Sequence, residues 1–248
     1  TMVNETVIAQ TFNKDLANEY GKICGNYSLW SNLTIFWGCG TNLHRSPYNA
    51  RNHEYYSEDA VLTSGQAVAF ISGGKEYGVI IAPKHLAFND TEINRTGVSV
   101  FMTEQQAREN ELRGTQAAIE DAGALGVMTA FNRVGITAAN AHTGLLKNIL
   151  RGEWGFKGLE SQDFIMNPNY AVLKEYALNG GTMTTFTGEN TMAAVSEKFA
   201  YWTTENVGQD TELMSAIKQA MTWQAYALAN SNALDGMASS TRLVSVRT

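Results

Sequence analysis

The chain has 248 residues, 44% of them hydrophobic, which is enough to bury a sizeable core in one large α/β domain or two small ones. A formal net charge of −6 gives no electrostatic case for nucleic acid, and the longest apolar stretches, such as residues 78–82, are far too short to span a bilayer. Two cysteines, Cys24 and Cys39, make no disulfide framework, and the four histidines show no zinc spacing, so neither metal nor cofactor is expected.

In chain order, residues 2–10 lead straight into a helix around 14–21. β-rich runs follow at 33–37, 78–82, 125–129, 158–161 and 181–185. Thr103 and Gln106 make a capping box, after which Leu112, Thr115, Ile119 and Ala122 share a face and Gly123 supplies the stop. A late helix sets Leu213, Ile217, Ala220, Met221 and Leu228 on one side. Alternating strands and helices predict a parallel sheet with crossover helices. The fold class is therefore α/β, a TIM-barrel-like (β/α) fold. Its barrel is incomplete or collapsed, with about five to six parallel strands rather than eight. One domain over residues 1–230, lacking its first strand region, and a tail over 231–248 are expected. The N-terminus has no basic start and apolar run, as in a mature secreted chain, so a soluble protein is expected, cytoplasmic or secreted.

Polar residues crowd the segments just after the strands. Asn42, His44, Arg45, Arg51 and Glu54 follow the first run; Lys84, His85, Asn89, Asp90, Glu92 and Arg95 follow the second; Asn132 and Arg133 follow the third; Asp163 follows the fourth. In a parallel α/β barrel these loops meet at one end, which favours a polar small-molecule site.

The order of these segments carries a resemblance. His44-Arg45-Ser46-Pro47 through Arg51-Asn52-His53-Glu54 and Ser57-Glu58-Asp59, then Lys84-His85 through Asn94-Arg95, then Val127-Met128-Thr129-Ala130-Phe131-Asn132-Arg133, then Leu150-Arg151-Gly152-Glu153-Trp154-Gly155-Phe156, resemble the family 3 glycoside hydrolases across nearly the whole chain. The resemblance implies a retaining β-glucosidase-type barrel acting on a β-linked glucoside or oligosaccharide. Asp163 would be the nucleophile forming a covalent glycosyl-aspartate, and Arg51, Lys84 and His85 would hold sugar hydroxyls. Met128 and Phe131 would line the pocket. A competing use for Arg51, Lys84 and His85 is an internal ion-pair network with Glu54, Glu58 or Asp90. Trp30, Trp37, Tyr48 and Tyr55 offer stacking faces, although Trp30 reads better as core.

The sequence also departs from the family pattern. Glu160 and Gln162 stand where apolar or small residues are usual, and a buried Glu160 needs a partner or a proton. Phe131 stands in place of a tyrosine, and residues 179–183 lack an expected aspartate. An early segment whose aspartate binds the sugar has no counterpart, and no acid/base is identified, with Glu54 and Asp90 candidates only by proximity. The acid/base is expected from a second domain or chain, which also completes the barrel. A homodimer would close the open seam, unless residues 1–10 fold back into it. The alternatives are a non-catalytic sugar- or partner-binding relative of the same fold, and an aldolase-like barrel using Lys84 as a Schiff base.

Overall fold

Parallel strands cannot be joined by tight hairpins; each needs a long crossover, and here helices supply them. The computed structural model describes residues 2–164, 172–185 and 202–234. Its strands in chain order are β1 (Ile35–Gly40), β2 (Ile80–Leu86), β3 (Ser99–Val100), β4 (Gly126–Thr129), β5 (Arg133–Val134), β6 (Thr137–Ala138) and β7 (Leu159–Gln162). Four of them make a parallel sheet in the order β1-β2-β4-β7. The run at 181–185 is reduced to one bridge, between Ser161 and Met183, because the Thr182 and Met183 amides both donate to the Glu160 carbonyl. A small second sheet, β3-β5-β6, comes from the loop after β2 and a hairpin at Gly135, and the sequence reading did not anticipate it.

Successive strand residues face opposite sides. Ile81 packs with Cys24, Phe70, Ile71 and Ala118 beneath the helices Lys14–Trp30, Ala60–Lys75 and Arg113–Glu120. Ile80 faces the other way, with Leu159 and Ala227 of the helix Thr211–Ala229. The first two helices touch backbone to backbone: a Cβ on Gly21 would lie 2.0 Å from the Phe70 carbonyl oxygen, and one on Gly73 would lie 2.1 Å from that of Asn18. The buried seam of Lys14–Trp30 therefore consists of Ala17, Gly21, Cys24, Gly25 and Ser28. This corrects the expectation for Trp30, which is 58% exposed beside Ile23 and Tyr27, because small residues allow the closer packing. The late helix is likewise rotated from the expected face. It buries Leu213, Ala220 and Ala227, seven residues apart, and leaves Met221 and Leu228 exposed.

The chain start folds back onto the edge strand. In the helix Glu5–Ala9, the Glu5 carboxylate accepts a hydrogen bond from the Gly40 amide at 2.8 Å, and the Thr6 hydroxyl donates to the Asn52 and Tyr55 carbonyls. Burial pushes the Glu5 carboxyl up to about 8, against the Gly40 amide and the Lys84 charge. At the other end, the Asn232 amide donates to the Gly78 carbonyl at 2.7 Å. The part of the expected tail from 235 onward lies outside the described residues.

Glu160 takes the protonated route foreseen for it. It is fully buried on β7, and neither carboxyl oxygen has a hydrogen-bond partner among the described residues. Burial raises its pKa to about 7, with Tyr176, Arg151 and Thr129 pulling it back. Arg151 spends its own donors on backbone, reaching the carbonyls of Phe156, Gly158 and Gly180 and stacking on Trp223 at 3.8 Å. A carboxyl raised on folding contributes stability that is present below its unfolded pKa and lost as pH rises through the folded value. For Glu160 that loss runs from about pH 4.5 through about 7. It is on the order of 3 kcal/mol. Glu160→Gln should therefore melt higher than wild type at pH 8 and gain little at pH 5. A melting-temperature difference independent of pH would contradict the assignment.

Candidate active site

The C-terminal ends of the four parallel strands bring the expected residues together. Lys84 pairs in register with Gly40 on one side and Met128 on the other, and Met128 pairs with Ser161, so one row crosses the sheet just below the loops. His85 and Asp163 come from different strand ends, and His85 Nε2 lies 3.4 Å from Asp163 Oδ2. Both residues are more than nine-tenths buried. The Lys84–His85 segment is gripped from the β1 side. The Thr41 amide donates to the Lys84 carbonyl at 2.7 Å, while the Asn42 side chain accepts from the His85 amide at 2.8 Å and donates to its carbonyl at 3.0 Å. Ordinary strand pairing is irregular here, with register shifts on both sides of Lys84, and the Asn42 amide substitutes for a peptide group.

The cations share one carboxylate. Lys84 Nζ lies 2.7 Å from Glu54 Oε1, and Arg51 grips both Glu54 oxygens at 2.6 Å. Burial alone would raise the Glu54 pKa, but the Arg51 hydrogen bonds and Lys84 more than offset it and hold the carboxyl down to about 2. A carboxylate held that low cannot act as a proton donor near neutral pH, which removes Glu54 as an acid candidate. The alternative ion-pair network for Arg51 and Lys84 is thus present through Glu54. Glu58 is exposed instead, and Asp90 turns to Arg45, which also reaches Glu111.

Burial raises the Asp163 carboxyl, and the Phe164 amide at 2.8 Å, then Arg51, Arg95 and Lys84, draw it back. His85 is pushed well below the usual histidine range by burial, then by Arg51, Lys84 and Arg95, so its imidazole is neutral. Arg95 was not among the residues singled out for the site. Its guanidinium lies 4.5 Å from the centre of the Phe131 ring and is paired to Glu92 at 2.9 Å. Only its position at the end of the Lys84–Arg95 stretch marked it in the sequence. Tyr55 is fully buried against His85 and offers no open face for a sugar, whereas Tyr48 is 90% exposed. Among the described residues no group of three or more His, Cys, Asp or Glu side chains could hold a metal ion, and no helix is long and apolar enough to cross a membrane.

The sequence profile of the glycosyl hydrolase family 3 N-terminal domain matches residues 2–197. The chain is 35% identical over 159 residues to probable beta-glucosidase J of Emericella nidulans, covering 64% of this chain and 19% of that protein. It is 36% identical over 170 residues to a beta-glucosidase of Ruminococcus albus, covering 68% of this chain and 18% of that one. Among solved structures, beta-glucosidase 3B from Thermotoga neapolitana in complex with alpha-D-glucose superposes with a TM-score of 0.85 at 26% identity. It covers 98% of this chain and 33% of that one. The chain thus spans about a fifth of the length of these curated relatives and a third of that structure.

Removing Glu54 leaves Arg51 and Lys84 facing each other without their shared anion. Glu54→Ala should cost about 3 kcal/mol of stability at pH 7, as for other broken, largely enclosed pairs. A lowered carboxyl contributes stability above its unfolded pKa and loses it as pH falls through the folded one, so the gap should close between about pH 4.5 and about 2. Denaturant titrations of both proteins across that range check it; an equal gap at pH 7 and pH 2.5 would refute it.

Proposed function

The chain belongs to glycosyl hydrolase family 3, and on that premise we propose that it is the barrel portion of a retaining β-glucosidase. The observation that best supports this is the carboxyl of Asp163 at one strand end, facing neutral His85 at 3.4 Å with the Lys84–Glu54–Arg51 cluster beside it. In this reading Asp163 Oδ attacks the anomeric carbon of a β-glucoside. The bond from that carbon to the aglycone oxygen breaks, the leaving oxygen takes the electron pair and a proton, and water later releases glucose from the aspartyl ester. Lys84, Arg51 and Arg95 supply N–H donors for sugar hydroxyls, and donors already tied to Glu54 and Glu92 arrive preorganised, while neutral His85 turns its ring edge to Asp163. Met128 and Phe131 form apolar parts of the pocket wall. Glu54, the carboxylate nearest the cations, is held ionised and is no proton donor, and in this reading the donor is supplied by another domain or chain.

The chain by itself should hydrolyse activated aryl β-glucosides and be weak on unactivated disaccharides, which lose the roughly 10²–10⁴-fold contribution of a general acid. Asp163→Ala should bring aryl glucoside turnover to background, and azide should restore it with an α-glucosyl azide as product. Turnover that survives Asp163→Ala would remove the nucleophile from this reading. Glucose binding by wild type without any turnover would favour the non-catalytic relative.

A further inference from the structure

We propose that Tyr55, set by Asn89 and Glu92, fixes the tautomer of His85 so that the imidazole presents its Nε2 proton to Asp163. Which way the protons run follows from chemistry at the far end of the chain of contacts. Glu92 is a carboxylate and can only accept. It takes Arg95 at 2.9 Å on one oxygen, and on the other it accepts from Asn89 Nδ2 at 3.2 Å. Turning the Asn89 amide over would set its oxygen against that carboxylate, so the NH₂ end is fixed. The same NH₂ donates to the Tyr55 hydroxyl oxygen at 2.8 Å. Tyr55 Oη, already accepting, directs its own proton to His85 Nδ1 at 3.1 Å. A neutral imidazole whose Nδ1 accepts carries its proton on Nε2, the atom that lies 3.4 Å from Asp163 Oδ2.

Tyr55, His85 and Asn89 are at most 2% exposed, so water does not compete for the bonds among them, and only the outer end at Glu92 is part-exposed. Burial raises the Tyr55 hydroxyl pKa, keeping its proton available, and holds His85 neutral. With the opposite tautomer, a bare Nε2 lone pair would face the Asp163 carboxylate and repel it. Tyr55 and Asn89 touch no reacting atom in this arrangement; they are positioning residues that act through His85. Their consequence for turnover rests on the glycosidase reading, whereas the tautomer does not.

The test is nitrogen NMR of the ¹⁵N-histidine-labelled chain, with the His85 signals identified by their loss in His85→Gln. Wild type should show His85 neutral at pH 7, with the proton on Nε2 and the Nδ1 resonance displaced as expected for an acceptor. Tyr55→Phe should move the Nδ1 resonance toward that of an unbonded ring nitrogen. It should also shift the acid limb of kcat/KM for an aryl β-glucoside to higher pH with KM nearly unchanged. Asn89→Ala should act in the same direction by less, and it carries the test if Tyr55→Phe does not fold. A wild-type proton on Nδ1, or an Nδ1 resonance untouched by the variants, would overturn the proposal. The expected tautomer in a chain with no turnover would leave the proposal standing and count against the glycosidase reading alone.

Discussion

Two cations, one from the loop after β1 and one from the end of β2, depend on one carboxylate. Glu54 sits one short turn after Arg51 and across from the end of β2, and without it Arg51 and Lys84 would repel each other at the point where the loops must converge. Its low pKa shows that these cations outweigh the desolvation it suffers. The loop after β1 is thereby tied to β2, and Thr41 and Asn42 complete the tie through the backbone of Lys84 and His85. The ion cluster and the backbone grip thus meet at Lys84, the residue before His85, whose Nε2 lies 3.4 Å from Asp163 Oδ2.

The rest of the sheet end tolerates a high density of buried acids by neutralising them in different ways. Glu54 is ionised and paired, whereas Glu160 is enclosed with no ion pair among the described residues, and its pKa is raised to about 7. Glu111 is also raised to about 7, by burial and by Asp90, with Arg45 shared between the two acids. Glu5 caps the edge amide of Gly40 and is raised still further. Three of these four carboxyls favour the folded state more at mildly acid pH than at alkaline pH, so the fold has a built-in acid bias even though the chain as a whole is anionic.

Asp163 gains from the same economy of charge. Three cations offset part of the rise that burial imposes on its pKa, and the His85 ring beside it is neutral. The nucleophilic role proposed for Asp163 calls for a carboxylate that is ionised yet not satisfied by a strong ion pair. Holding Lys84 and Arg51 on Glu54, and Arg95 on Glu92, keeps their field at Asp163 while directing their hydrogen bonds elsewhere.

Much of this was legible in the sequence. The alternation of strands and helices, the Thr103 cap, the stop at Gly123 and the placement of Asp163 and Arg51 after strands are local properties, written in turn chemistry and periodicity, whereas Lys84 and His85, expected just after a strand ending at 82, lie inside β2, which runs on to Leu86. The ordered family segments carried their grouping at one end of the sheet, because parallel topology forces loops after strands to meet. Helix faces were read less well. Trp30 and Met221 are apolar but exposed, since glycine and alanine seams allow closer backbone approach than large side chains do. The fifth strand shrank to a bridge because its amides are taken by Glu160 carbonyl oxygen at one point. The protonation of Glu160, the pairing of Glu54 and the direction of the Tyr55–His85 bond belong to the tertiary structure alone. Each depends on which groups, distant in sequence, are brought within a few ångströms of one another and shielded from water, and a single residue's identity carries no record of that.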